Sequence, residues 1–178
     1  MTAPVHLVTV TGLITGRDGR LLIIHPSVGQ SEAAQVWWLP GGDLGHAASP
    51  AESLRHVVYQ QLGIQVPVRG LYLTAYRRAT AVGEQPELVL LFDCGEHDAA
   101  AIEDELWPGE GVAAWQWVTH ADAVRLLHPD EARRLTWALT NPAPASYLEQ
   151  PQHYQHIDSG GARDADDAVG RTDTSGGP

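Results

Sequence analysis

Ser49-Pro50-Ala51-Glu52-Ser53-Leu54-Arg55-His56-Val57-Val58-Tyr59-Gln60-Gln61-Leu62-Gly63-Ile64, preceded by Leu39-Pro40-Gly41-Gly42, is the stretch on which the fold of this chain turns. Ser49 has the side chain of an N-cap, Pro50 suits the first helical position, and Glu52 stands where a capping box needs its acid. Ala51, Leu54, Val58 and Leu62 recur at helical spacing, so the segment buries one face. Gly63 stops the helix, because a left-handed C′ position costs glycine least. Leu39, at the end of a short strand, runs into Pro40-Gly41-Gly42.

Working outward, Leu7 to Ile14 and Leu21 to His25 are apolar and β-branched around the turn Thr15-Gly16-Arg17-Asp18-Gly19, which makes a hairpin. Pro26 to Gln35 is a polar loop and Trp37 to Leu39 a short strand. Beyond the helix, Gln65 to Arg78 is strand-like with a bulge at Gly70, and Glu87 to Asp93 is a further strand. Asp98 to Gly111 reads as an acidic loop. Ala113 to Val118 is a strand in which Trp115 and Trp117 face the same way, because side chains alternate along a strand. Helices follow at about Ala121–Leu127 and Pro129–Thr140, the second ended by Asn141-Pro142. This order predicts an α/β domain with a mixed sheet and helices packed on it, spanning residues 1–148. From Glu149 the composition turns to Gly, Asp, Ser and Thr, so residues 149–178 are expected to form an acidic, glycine-rich disordered tail.

The stretch from Trp38-Leu39-Pro40-Gly41-Gly42 through Gly63-Ile64 resembles the Nudix box, G-x5-E-x7-R-E-U-x-E-E-x-G-U with U aliphatic. Started at Gly42 the pattern fits without a gap: the inner aliphatic is Val58, the final glycine Gly63 and the final aliphatic Ile64. The resemblance extends over residues 5 to 140 and implies a Nudix-type α/β/α sandwich. It also implies a carboxylate-bound Mg²⁺, and here the chain departs from the family. Ala48 stands at the first Glu position, His56 at the Arg, Val57 at the next Glu, and Gln60 and Gln61 at the final Glu pair. Carboxylates at i, i+3 and i+4 on one helix face would converge on a single hard cation. Val57, Gln60 and Gln61 offer no charge and no useful basicity in their place.

The resemblance therefore implies a box that has kept its glycine framework and lost its metal-binding acids, with no cofactor expected. The reading favoured by these residues is a pocket turned to a small molecule, with metal-independent proton transfer, isomerisation, or ring formation or opening in a specialised pathway. His56, His46 and Glu52 are the catalytic candidates, since an i, i+4 Glu–His pair can share a proton near neutral pH. Gln60, Gln61, Val57, Tyr59, Asp43 and Trp38 are the substrate-binding candidates. His46, Glu52 and His56 also have the composition of a two-His-one-carboxylate metal site, a weaker reading. One alternative is a ligand-sensing module or scaffold without catalysis. Another is a weak Mg²⁺- or Mn²⁺-dependent hydrolase of nucleoside-diphosphate-type substrates, its metal held by the acidic loop Glu103 to Glu110.

Composition narrows the partners. The net charge is −11 and every basic residue is arginine, with no basic stripe to follow a phosphate backbone, so nucleic acid is not an expected partner. No apolar run approaches the roughly 20 residues that span a bilayer, and no signal peptide is read at the N-terminus, so a cytoplasmic protein without membrane attachment is expected. The single cysteine, Cys94, follows an apolar strand and reads as a core residue. The resemblance leaves a homodimer open.

Overall fold

The computed structural model describes residues 6–27, 36–45, 49–79, 83–141 and 146–149. The elements run β1 (Leu7–Gly16), β2 (Leu21–Pro26), β3 (Gly41–Asp43), α1 (Pro50–Leu62), β4 (Gly70–Arg77), β5 (Glu87–His97), α2 (Ala99–Glu103), β6 (Val112–Val118), α3 (His120–Leu126), α4 (Pro129–Thr140) and β7 (Ser146–Glu149). The sheet is mixed, ordered β6-β2-β1-β5-β4-β7, with β3 paired to β1. β1 runs parallel to β5 and antiparallel to β2 and β3.

Alternation along the strands divides the core. Leu13, Leu21, Ile23, Leu73 and Leu91 face α3 and α4, where Ala123, Leu127, Leu135 and Ala138 meet them. Val10, Ile14, Leu22, Ile24 and Phe92 face the other way, onto Leu54, Val58 and Leu62 of α1. This is the expected sandwich of helices on both faces of a mixed sheet. Trp115 and Trp117 pack on the α1 side together. Cys94 is buried, and burial pushes its thiol up to about 12.

Several boundaries differ from the sequence reading, each for a local reason. Trp37 and Trp38 form only isolated bridges, to Leu127 and Ile24, because Pro40 cuts the segment short. β4 begins at Gly70 rather than Gln65, since Pro67 has no N–H to give a ladder, and its irregularity falls between Leu71 and Leu73 rather than at Gly70. The acidic loop opens with a short helix, α2, capped by the Asp98 carboxylate on the Ala101 N–H. On α1, Ser49 accepts from the Glu52 N–H and Gly63 closes the helix at φ 74°. Ser53 is buried where Ala51 was expected, its hydroxyl donating to the Leu44 carbonyl at 2.7 Å. β7 adds a strand parallel to β4 that the sequence reading did not contain. Residues 150–178, most of the expected tail, lie outside the described residues. No helix among the described residues is long and apolar enough to cross a membrane.

The feature that makes room for a site is a fork. β1 and β2 pair through Thr15 and Leu21 at their hairpin end. Toward the other end the segment Trp37–Leu44 runs between them. It exchanges two hydrogen bonds with Ile24 of β2 through Trp38, gives the Pro40 carbonyl to the Gly12 N–H, and lies along Thr9–Thr11 of β1 as β3. Gly41 can sit this close only without a side chain: its φ is 156°, and a Cβ would stand 2.2 Å from the Val10 carbonyl oxygen.

Candidate functional site

The fork encloses a cavity of about 670 Å³. Thr9 and Thr11 of β1, Ile24 and Pro26 of β2, and Trp38, Leu39 and Gly41 to Asp43 line it from the sheet. Gln61 reaches it from α1, and His128, Asp130, Glu131 and Arg134 close it from the start of α4. The backbone of Trp37 fixes these parts together, its N–H donating to the Leu126 carbonyl and its carbonyl accepting from the His128 N–H at 2.9 Å. That stitch brings Trp38 over His128. The two rings stack with centroids 4.7 Å apart and planes 9° from parallel. His128 is also the N-cap of α4: its Nδ1 accepts from the Asp130 N–H at 3.3 Å, which leaves Nε2 to carry the proton of a neutral ring.

Behind the stack sits a buried ion pair. Glu131 is 2% exposed and Arg134 5% exposed, and the Arg134 guanidinium donates to Glu131 Oε1. The second carboxylate oxygen accepts from the Leu39 N–H at 3.4 Å. Charges so deep persist only when paired and hydrogen-bonded. Across the cavity Arg77 and Glu87 pair at 3.1 Å, and Thr9 donates to Glu87 at 2.7 Å. The lining thus combines apolar and aromatic groups with fixed, paired charges.

The box helix meets the cavity through Gln61. Its Oε1 accepts from the Gly41 N–H at 3.0 Å and its Nε2 donates to the Gly41 carbonyl at 2.8 Å. Beside this contact is a cleft of about 230 Å³, lined by Gly41, Gly42, Val57, Gln60, Gln61 and Glu110. Glu110 is carried there by backbone. The N–H groups of Trp107, Gly109 and Glu110 donate to the carbonyls of Leu62, Gln61 and Gln60, the last unpaired acceptors of α1.

The residues named from sequence fall into separate groups. Trp38, Asp43 and Gln61 come together in the large cavity, and Val57 and Gln60 line the adjoining cleft. His56, Glu52 and Tyr59 open instead onto a different cleft of about 620 Å³ with Arg55, Gln65 and Pro67, sharing no lining residue with the cavity. His46 lies outside the described residues. Of the acidic loop, Glu110 reaches the box while Glu103, Asp104 and Glu105 are not among the lining residues of its cleft. Among the described residues no group of three His, Cys, Asp or Glu side chains is placed to hold a metal ion. His128, Asp130, Glu131 and Arg134 were missed from sequence. Their signal was an acidic first turn with a Glu–Arg pair at i, i+3, which ordinarily marks a solvated helix start.

The NUDIX domain profile matches residues 5–138, three quarters of the chain. The chain belongs to the NUDIX domain family. This Nudix chain is 33% identical over 82 residues to a MutT-like protein of Streptomyces ambofaciens, a match covering 44% of the chain and 50% of the relative. The chain thus spans about half the length of that curated relative. Among solved structures it is similar to the MutT protein of Methanosarcina mazei Go1, with a TM-score of 0.62 and 20% identity over 76% of this chain and 96% of the other. It is similar also to the E. coli ORF135 protein, with a TM-score of 0.61 and 21% identity over 80% of this chain and 96% of the other. At these identities the two structures establish the Nudix fold.

Proposed function

We propose that this Nudix protein holds a planar, hydrogen-bonding small molecule in the fork cavity without a divalent metal, and that chemistry there is acid–base rather than metal-assisted hydrolysis. The observation that carries this reading is that the Trp38–His128 stack and the buried Glu131–Arg134 pair line one cavity. A flat ring gains dispersion and quadrupole contacts from the aromatic rings. The paired charges supply fixed polar groups that can read its edge, the usual division of labour in a small-molecule pocket. The family implies Mg²⁺, and the donors at the box do not suit it. Val57 has no donor, Gln60 and Gln61 are neutral amides, the Gln61 amide is already engaged by Gly41, and Glu110 is a lone carboxylate. A hard dication that sheds water reluctantly needs more charge than this. His128, with a proton on Nε2, and Glu131 stand closer to such a ligand than the His56–Glu52 pair, whose cleft is separate.

The test is calorimetric titration, in EDTA, of phosphate-free heteroaromatic compounds such as purine and pterin rings. Binding that weakens about tenfold in Trp38→Ala, the scale of one lost aromatic contact, and is unmoved by His56→Ala is the expected result. Binding insensitive to Trp38→Ala would place the ligand elsewhere and sink the reading. A second reading, metal-dependent diphosphate hydrolysis, is favoured by the likeness to MutT proteins and by Glu110 beside the box. Phosphate release from nucleoside triphosphates that requires Mg²⁺ or Mn²⁺ and disappears in Glu110→Gln would establish it instead.

A further inference from the structure

Gly41 is held on both edges. On one it lies against β1, opposite Thr11. On the other its whole peptide face is satisfied by a single side chain, with the Gly41 N–H donating to Gln61 Oε1 at 3.0 Å and the Gly41 carbonyl accepting from Gln61 Nε2 at 2.8 Å. The Gln61 amide therefore does for β3 what one residue of a neighbouring strand would do. Only a group that accepts and donates along the same edge can make both bonds. An ionised glutamate, the residue the box pattern places here, accepts only. It would keep the bond from the Gly41 N–H and set a negative oxygen against the Gly41 carbonyl. The amide is thus more than a ligand position that has lost its charge.

We infer that Gln61 is a neutral latch that fixes the last turn of α1 to the Gly41–Asp43 strand, and so sets the floor of the cavity without any cation. It joins helix to loop by two directed hydrogen bonds. This goes beyond the proposed ligand and holds for whatever the cavity takes.

The side chain at position 61 meets charged groups from several directions. Glu110 faces it from the loop before β6 and Asp43 from β3. Across the cavity stand His128, Asp130, Glu131 and Arg134 of the α4 turn, Arg77 of β4 and Glu87 of β5. The deciding variant is Gln61→Glu, because a protonated glutamic acid regains a donor and mimics the amide. Its carboxyl must bind a proton to latch, so its folded pKa lies above the unfolded value. The latch is then present below about pH 4 and is lost as pH rises through the folded pKa.

The experiment is thermal unfolding of the whole chain across pH, for wild type, Gln61→Glu, Gln61→Leu and Gln61→Glu/Glu110→Gln, each in EDTA and in millimolar Mg²⁺. At neutral pH Gln61→Glu should melt at least about 2–4 °C below wild type, the scale of the one hydrogen bond it loses in a domain of this size. That deficit should close near pH 4 and persist at neutral pH when Glu110 is neutralised. Gln61→Leu should be impaired at every pH, and the wild-type Tm should be the same in EDTA and Mg²⁺. Three results would overturn the latch: Gln61→Glu as stable as wild type at neutral pH, a deficit that vanishes with Glu110→Gln and so reports repulsion alone, or a Mg²⁺-dependent rise in wild-type Tm that Gln61→Leu abolishes.

Discussion

Replacing Arg134 by leucine should be among the most damaging single changes to this chain. Arg134 is 5% exposed and Glu131 2% exposed, so the variant strands a carboxylate where water does not reach it. Removing one partner of a buried pair costs about 3–5 kcal/mol. In a domain of this size that corresponds to a fall in Tm of about 6–20 °C. A second change separates pair energy from packing. Glu131→Gln/Arg134→Leu removes both charges and keeps a side-chain oxygen for the Leu39 N–H, which accepts none of the cost of a stranded anion. Urea denaturation of the two single variants and the double gives the coupling directly. The reasoning fails if Arg134→Leu costs less than about 1 kcal/mol, the scale of an exposed pair, or if the double variant is as unstable as the sum of the singles.

Three further outcomes are expected. Gly109→Ala should destabilise by about 1–3 kcal/mol in urea titrations, because its Cβ would stand 2.0 Å from the Gln60 carbonyl oxygen and force the loop off α1. Cys94, buried and with its thiol pushed up to about 12 mainly by burial, should not react with a thiol reagent at neutral pH until the chain is unfolded. Asp122 is held below the usual aspartate range first by the Thr119 hydroxyl and then by Arg125. Its contribution is therefore present above the unfolded pKa and lost as pH falls through the folded one, and an NMR titration should place its midpoint below that of an unstructured aspartate.

Sequence alone gave the sandwich because its signals were periodic and local. The capped start at Ser49-Pro50, the stop at Gly63 and the alternation in β1, β2 and β6 all reflect burial on one side of an element. The site was less legible because it depends on which elements meet. His56 and Gln60 lie one turn apart on α1, yet His56 opens with Glu52, Arg55 and Tyr59 onto one cleft and Gln60 with Val57 and Gln61 onto another, a division set by what packs beside each turn. Gln61 was expected to orient a substrate, whereas the structure ties its amide to Gly41. Glu131 and Arg134 have the i, i+3 spacing of a surface pair, yet the fold buries both, with the Leu39 N–H donating to Glu131.

The fork between β1 and β2 has a consequence for how such a chain can change. Its opening is made by the path of the backbone, with the Trp37–Leu44 segment wedged between two strands, and not by leaving side chains out of either core. Trp38 and Asp43 face the opening and belong to neither hydrophobic cluster. Substitutions at these two positions can alter what fits the opening while leaving both cores filled. The shape of the opening and folding stability are in this respect separately adjustable, so that on the proposed reading ligand preference can change without an unstable intermediate.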